Sequence, residues 1–224
     1  MTSMTSPVSL DIMDAIEHLP GGATLVVPGV AWDDYEHLVE ELNERPHFRV
    51  SYDCGRLEIM SPLLDHEGYA SFFDFLVGAY ADYKDIELES RGQTTWKLKA
   101  LQKGVEADAC YYVRNTKVII GKIRVNLESD PPPDIAVEID TTSDSRRKFP
   151  IYAALNVPEL WIYDGKDVHI YKLTGRKYVE ISESRFLPGL TASMLAQSIE
   201  LSKTEGQRTA LKAFRKKLSA LSKV

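Results

Sequence analysis

The fold can be read from residues 131–164, PPPDIAVEIDTTSDSRRKFPIYAALNVPELWIYD. After three prolines, residues 134–140 alternate so that isoleucines and a valine point one way while Glu138 and Asp140 point the other, which predicts a core strand. A polar loop over 141–148 leads to a helix, with Pro150 tolerable only in its first turn. Asn156 then predicts a left-handed helix end before Pro158. Residues 160–173 follow as a hairpin.

The remaining chain supplies further strands and helices around this unit. Helical periodicity covers residues 10–19, 33–42, 67–83, 191–200 and 207–221, and strand-like segments cover 48–52, 57–59, 86–90, 94–98, 105–113, 116–125 and 178–181. This order predicts an α+β or mixed α/β fold. We expect an N-terminal segment at 1–27, one domain at 28–190, and a basic helical tail at 191–224.

Composition is that of an ordinary globular protein, with 44% hydrophobic and 27% charged residues among 224. The opening residues lack the basic and apolar regions of a signal peptide, and no apolar run approaches the roughly 20 residues of a membrane span. We therefore expect a soluble, cytoplasmic protein. Cys54 and Cys110 form no CxxC pair, so we expect free thiols and no structural zinc.

Charge is distributed unevenly. Residues 203–224 carry seven basic residues against one acid, which leaves −12 on the rest of a chain whose net charge is −6. An acidic body does not favour nucleic-acid binding, unless basic groups are local or bound cations neutralise the acids. The basic tail is most simply a solvated or oligomer-facing helix, with nucleic-acid contact as the alternative.

Carboxylates lie within strands that are otherwise apolar. Glu138 and Asp140 share one face of their strand, and the alternation of residues 105–113 places Glu106 and Asp108 on one face of another. If the two strands are neighbours, the acids converge and repel each other unless a divalent cation neutralises them. Oxygen ligands alone suit Mg²⁺ or Mn²⁺. The alternative is that these acids are paired with Arg or Lys.

Lys148 follows Glu138 by ten residues and stands at a helix start, where a cation opposes the helix dipole. Near a metal, its amine could orient a water or offset charge on a phosphoryl oxygen. The alternative is a solvated 146–148 basic run. The hypothesis fails if the carboxylates of Asp108 and Glu138 lie more than about 8 Å apart, or if each is locked to its own arginine, because metal–oxygen bonds span only ~2–2.6 Å.

These residues resemble a known family, the Uma-two-like restriction endonucleases of the PD-(D/E)XK nuclease superfamily. The matching stretches are RLEIMSPLLDHEGY, GVEADACYYV, PPPDIAVEIDTTS and KFPIYAALNVPELWIYD, in family order over roughly residues 30–175, with a continuation to FLPGL near Phe186. The resemblance implies a restriction-endonuclease-like fold, with a central mixed sheet flanked by helices, and Mg²⁺-dependent cleavage of nucleic acid.

Carried over by position, the resemblance makes Asp108 a metal-binding aspartate, Glu138 the acid of the second motif strand, and Lys148 a lysine displaced onto the next helix. His66 matches a histidine frequent near the family's active site, although a lone histidine at a helix entry is commonly structural. There are two departures. Glu106-Ala107 replaces the proline context before the aspartate, and Asp140 occupies the superfamily's lysine position. Asp140 is either an additional metal ligand or a sign of drift, and Glu106 is a further candidate ligand.

Three functions remain open from the sequence. The first is a metal-dependent DNA endonuclease, which we expect to be a homodimer. The second is a binding or assembly module that has kept the fold and lost the chemistry. The third is a metal-dependent hydrolase of a small phosphorylated substrate.

Overall fold

The computed structural model describes residues 7–42 and 48–221. Within those residues the helices are α1 (Pro7–Glu17), α2 (Trp32–Leu42), α3 (Leu64–Lys84), α4 (Thr116–Ile119), α5 (Phe149–Ala154), α6 (Ala192–Glu205) and α7 (Gln207–Leu221). The strands are β1 (Thr24–Val27), β2 (Arg49–Asp53), β3 (Arg56–Met60), β4 (Glu89–Ser90), β5 (Thr94–Leu98), β6 (Lys103–Ala107), β7 (Ala109–Tyr112), β8 (Ile135–Ile139), β9 (Glu159–Tyr163), β10 (Val168–Thr174) and β11 (Lys177–Ile181). Short 3₁₀ helices span Lys99–Leu101 and Ser145–Lys148.

The strands form two sheets. A six-stranded sheet has the order β11-β10-β9-β8-β7-β4, and a five-stranded antiparallel sheet has the order β1-β3-β2-β6-β5. Strands β8 and β9 are parallel, as expected for strands joined through a helix, while their outer neighbours are antiparallel. The six-stranded sheet is thus the predicted mixed sheet. The separate five-stranded sheet was not foreseen from the sequence.

Strand β8 lies between the two largest apolar clusters. Its Ile135, Val137 and Ile139 pack with α3, α6 and α7, whereas Ala136 packs on the opposite face with α5. The mixed sheet is therefore flanked by helices on both faces, as predicted. The alternation predicted for residues 134–140 is confirmed.

The connection from β8 to β9 follows the sequence closely. Pro150 lies in the first turn of α5, where its missing amide hydrogen costs nothing. Asn156 has a φ of 58°, the left-handed conformation that ends the helix before Pro158. Strand β9 then pairs with β10, and β11 extends the hairpin. These predictions are confirmed.

Residues 105–113 do not form one strand. Strand β6 belongs to the five-stranded sheet and β7 to the six-stranded sheet, and Asp108 lies at the crossing between them. Ala107 consequently packs in the α5-side cluster, while Ala109 packs on the α3 side. The single alternation that placed Glu106 and Asp108 on one strand face was wrong, because the change of sheet resets which side each residue faces.

Residues 116–125 were wrongly predicted as a strand. They begin with the short helix α4, and Ile123 is 99% exposed. The Arg91 guanidinium donates hydrogen bonds to the carbonyl oxygens of Ile119 (2.6 Å) and Lys122 (3.3 Å), which a sheet partner would otherwise use. The strand predicted at 86–90 is reduced to the two residues of β4.

Both ends of the described chain contribute to the layers. Strand β1 pairs with β3, and helix α1 buries Ile16 in the cluster that contains α2. Helices α6 and α7 bury Ile199, Phe214 and Leu218 in the same cluster as α3. The limits 1–27, 28–190 and 191–224 stay a prediction. Among the described residues, no helix has the length and apolar character needed to cross a membrane.

Candidate active site

Asp108 is held between the two sheets and is 4% exposed. Its carboxylate Oδ2 accepts a hydrogen bond from the Ile139 amide (2.8 Å), and Oδ1 accepts one from Arg49 Nε (2.7 Å). The Asp108 amide in turn donates to the Val137 carbonyl (3.0 Å). These bonds attach Asp108 to β8 beside Glu138, although the two residues are thirty positions apart.

Glu138 is buried on the α5-facing side of β8. Its carboxylate Oε2 accepts hydrogen bonds from Lys148 Nζ (2.6 Å) and Ser145 Oγ (3.0 Å), and the Tyr152 hydroxyl donates to Oε1. Burial raises the pKa of Glu138 to about 7, and the charge of Asp108 contributes in the same direction, while Lys148 and Tyr152 oppose the shift. A carboxyl poised near neutrality is typical of functional sites, and also of structural ion pairs.

Lys148 ends the 3₁₀ helix Ser145–Lys148 and immediately precedes α5. Burial alone would lower the pKa of Lys148, but attraction to Glu138 and Asp108 outweighs it, so this pKa lies above its usual value. The ammonium is therefore charged. Its contact with Glu138 explains why a cation is tolerated at the start of a helix, where the dipole disfavours it.

Asp140 and Glu106 are placed differently from the central pair. Asp140 accepts hydrogen bonds from the Ser145 amide (2.7 Å) and the Ser145 hydroxyl (2.6 Å), which hold the turn that carries Lys148. Glu106 accepts a bond from the Val50 amide (3.3 Å) and another from the Gln93 side chain. Burial raises the pKa of both carboxyls.

His66 lies in the first turn of α3 and is fully buried. Neither of its ring nitrogens has a hydrogen-bond partner within the described part of the chain. Burial lowers the pKa of His66, while Asp108 and Arg49 exert opposite effects on it, so the ring lies within electrostatic reach of both. The structure thus brings His66 to the same region as the predicted acids, without a direct bond to them.

Arg49 is the main residue that the sequence reasoning missed. This guanidinium, 3% exposed, bridges Asp108 and the Glu67 carboxylate, and its Nη1 is buried with no partner among the described residues. Ser145 and Tyr152, which bind Glu138, were also missed. No local signal marks Arg49, because an arginine opening a strand is more often exposed, and its partner lies 59 positions away.

The buried site opens toward the surface beside Lys148. Two adjoining pockets there share four lining residues, Ser51, Glu58, Arg147 and Lys148, and one of them also reaches Arg49 and Ser145. Basic and acidic side chains both line these pockets, and Lys148 stands between them and Glu138, which does not itself line either one. A phosphate oxygen entering this groove would meet Lys148 before it meets Glu138.

The donor set suits a hard divalent cation in kind but is not organised around one. Five carboxylates (Glu67, Glu106, Asp108, Glu138 and Asp140) surround two cations (Arg49 and Lys148), an imbalance that a bound cation would relieve. Both oxygens of Asp108 and of Glu138 already accept hydrogen bonds. Among the described residues, no group of three or more His, Cys, Asp or Glu is placed to hold a metal ion. A cation would have to displace Arg49 from Asp108.

Asp108 is thus paired with an arginine, while Glu138 is paired with the lysine that the sequence assigned to the same site. The metal hypothesis would fail if both acids were paired with arginines. Only Asp108 has an arginine partner, because the partner of Glu138 is a lysine. Glu138 and Lys148 are in direct contact, and Asp108 is anchored one residue along β8 from Glu138. Asp140 and Glu106 border this group through other partners.

A mixed sheet flanked by helices on both faces is the architecture of the restriction-endonuclease-like class of α+β proteins, and here two buried acids and a partly buried lysine lie at its inner strand β8. The sequence model of the Uma2 family, described as putative restriction endonuclease, matches residues 32–203. The chain belongs to this family. No curated protein matches the chain. Family membership supports a nuclease-like protein, and the match runs from the start of α2 into α6 and includes all the site residues described above.

Proposed function

We propose that this protein is a metal-dependent endonuclease that hydrolyses phosphodiester bonds in DNA, with Asp108, Glu138 and Lys148 at the reacting centre. The observation that carries the proposal is the Lys148–Glu138 contact of 2.6 Å beside Asp108, with Lys148 lining a groove open to solvent. A buried acid in contact with a partly buried amine, next to a second buried acid, matches the residue types that phosphodiester hydrolysis needs.

Asp108 and Glu138 would hold Mg²⁺ or Mn²⁺, and Glu106 and Asp140 are candidate additional ligands. When bound, the cation supplies a more acidic water and stabilises negative charge on the phosphoryl oxygens. Lys148 would donate a hydrogen bond to the attacked phosphate or to the water, which requires its ammonium to turn from Glu138. Arg49 would have to leave Asp108 for that carboxylate to act as a ligand.

Neighbouring side chains support these roles. Tyr152 and Ser145 donate to the Glu138 carboxylate and fix its orientation. Asp140 holds Ser145, and thereby the turn from which Lys148 projects. We further propose that the protein acts as a homodimer, which would let two such sites act on both strands of a duplex. Sedimentation equilibrium tests this proposal directly.

A second candidate function is a nuclease-fold binding or assembly module without catalysis. The Arg49–Asp108 ion pair favours it, because a buried arginine neutralises the aspartate that a metal would require. The third candidate, a metal-dependent hydrolase of a small phosphorylated substrate, shares the same residues and differs in what enters the groove.

The test incubates the protein with plasmid and with single-stranded DNA, in Mg²⁺, Mn²⁺ or EDTA. Asp108→Asn and Glu138→Gln remove one charge each without changing shape, and Glu87→Gln is the matched control at an exposed acid. Metal-dependent cutting that is lost in the first two variants and kept in the control supports the nuclease. Metal binding without cutting of either DNA favours the small-substrate hydrolase. A protein that neither cuts DNA nor binds metal favours the binding or assembly module.

A further inference from the structure

Helix α7 is strongly basic although the chain as a whole is acidic. Its fifteen residues carry five cations and no acid, in a protein of net charge −6. The helix lies beyond residue 203, where the family match ends. Its charge is therefore a feature of this chain outside the region that defines the family.

The two faces of α7 are sharply different. Ala210, Phe214 and Leu218, spaced by four residues, are buried against α3 and α6. At 3.6 residues per turn, four cations lie together on the outward side, and all four side chains are exposed. We call them the α7 basic face: Arg208, Lys212, Arg215 and Lys216. The fifth cation, Lys217, points elsewhere and donates to the Gln197 side chain (2.8 Å).

The α7 basic face is not neutralised within the molecule. None of its four cations forms an ion pair with a residue in the described ranges 7–42 and 48–221. Arg208, Lys212 and Lys216 follow one another at intervals of four, and like charges at that spacing destabilise a helix by a few tenths of a kcal/mol per pair. The arrangement thus opposes helix stability, which its buried face must supply.

The position of α7 relates this face to the candidate active site. The Gln207 side chain at the start of α7 donates to the Gly68 carbonyl (3.2 Å) in the first turns of α3. The same turns carry His66 and Glu67, and Glu67 is bonded to Arg49. The basic face therefore begins at the end of α3 that borders the site.

We propose that the α7 basic face binds the sugar–phosphate backbone of double-stranded DNA that extends from the candidate active site; this inference rests on the proposed function. Phosphates are bound mainly by exposed Arg and Lys, whatever the base sequence. Successive cations four residues apart rise about 6 Å along the helix, so several phosphates of one backbone can be contacted together. A local basic face also answers the objection that the body is acidic.

A second copy of this chain is the competing occupant, since acids elsewhere on the body could pair with these cations. Interfaces between subunits need an apolar core. The large apolar side chains of α7 that the structure describes, Leu211, Phe214 and Leu218, pack inward. The outward side offers charge without an apolar anchor, which favours a polyanion.

The experiment measures the Kd of a fluorescent 30-base-pair duplex for the full chain in EDTA, from 50 to 200 mM salt. The test variant combines Arg208→Gln, Lys212→Gln, Arg215→Gln and Lys216→Gln. The control variant removes the same number of charges from other exposed positions, through Lys117→Gln, Lys166→Gln, Arg176→Gln and Lys177→Gln. Circular dichroism and sedimentation equilibrium accompany each protein.

We expect the test variant to raise Kd at least about tenfold at 100 mM salt and to reduce the slope of log K against log salt by up to about 3.6, or 0.9 for each of four phosphates. The control should change both far less. Equal effects in the two variants, or no change in the test variant, overturn the proposal. So does a test variant that turns a dimer into a monomer while each chain keeps its Kd.

The outcome is separable from that of the proposed function. Weaker binding by the test variant supports the α7 basic face even if no protein cuts DNA. Cutting by the unmodified protein, together with unchanged binding by the test variant, overturns the face and leaves the nuclease standing.

Discussion

Replacing Arg49 with methionine tests the ion pair on which the metal proposal turns. The Arg49 side chain is 2% exposed, as is that of Asp108, and the two are joined by a 2.7 Å contact. Methionine is apolar and of similar length, so it fills the space but leaves the Asp108 carboxylate with the Ile139 amide alone.

The loss of stability expected for Arg49→Met follows from the burial of the Arg49–Asp108 ion pair. Removing one partner of a buried pair costs about 3–5 kcal/mol, because an uncompensated charge remains. The other partner, Glu67, is 50% exposed, so its loss adds only about 0–1 kcal/mol. We therefore expect the free energy of unfolding of Arg49→Met to fall by about 3–5 kcal/mol, and that of Arg49→Lys to fall less, since the charge is kept.

Urea unfolding of Arg49→Met, of Asp108→Asn and of the double variant Arg49→Met/Asp108→Asn measures the coupling free energy between the two side chains. The double variant has no unpaired carboxylate at position 108, so its loss should be smaller than the sum of the single losses by about 2–3 kcal/mol. Additivity within about 0.5 kcal/mol would refute the argument that the two side chains stabilise each other.

The variant Arg49→Met also shows whether Arg49 competes with a metal ion for Asp108 or holds the metal ligands in place. If Arg49 occupies the position that a cation needs, Arg49→Met should bind Mn²⁺ more tightly than the unmodified protein, as measured by electron paramagnetic resonance of free Mn²⁺. Weaker Mn²⁺ binding in this variant, with Arg49→Lys restoring it, would mean that Arg49 organises the ligands instead of excluding the metal.

Three further predictions concern other parts of the structure. The folded-state pKa of Glu138 is raised to about 7, so the contribution of Glu138 to stability is complete below its unfolded-state pKa of about 4.5 and is lost as the pH rises toward 7. Glu138→Gln should abolish that part of the pH dependence of the free energy of unfolding, measured with urea. Tyr152→Phe removes a hydrogen bond to the charged Glu138, so carboxyl NMR titration should show the pKa of Glu138 raised further, with a loss of about 1.5–3 kcal/mol in stability. Gly104→Ala would place a methyl 2.0 Å from the Tyr35 hydroxyl oxygen and should lower the midpoint of thermal unfolding. The control Gly78→Ala, with nothing within 4 Å of the new methyl, should raise that midpoint by the equivalent of about 0.5–1 kcal/mol. Equal midpoints for the two variants would contradict the close approach of Tyr35 to Gly104.

The features that the sequence predicts correctly are clearest in and just after β8. Its alternation, the position of Pro150 and the left-handed Asn156 depend on neighbours within a few residues, so each could be predicted and each is confirmed. Lys148 was also accessible, because its place at a helix start and the family resemblance both singled it out, and the structure brings it into contact with Glu138. The family resemblance read from the same segments is confirmed by the match over residues 32–203.

The failures share a physical cause. Residues 105–113 alternate as a single strand would, yet hydrogen bonding to two different sheets divides them at Asp108. Residues 116–125 have strand-forming composition, yet they begin as a short helix, and Arg91 binds the carbonyl oxygens of Ile119 and Lys122. Local pattern reports only that a segment is apolar and extended; the partner that completes its hydrogen bonds is set by distant residues.

The sequence alone determined which strand is central, which acids interrupt it, and which lysine returns to it, because periodicity and chain connectivity act over short distances. Only the tertiary structure decided that Asp108 stands between two sheets, that Arg49 neutralises it from 59 positions away, and that Asp140 holds the turn beneath Lys148. Those contacts arise when separate segments are brought together by burial of their apolar faces, and the electrostatic partner of a buried charge is whichever group that burial places beside it.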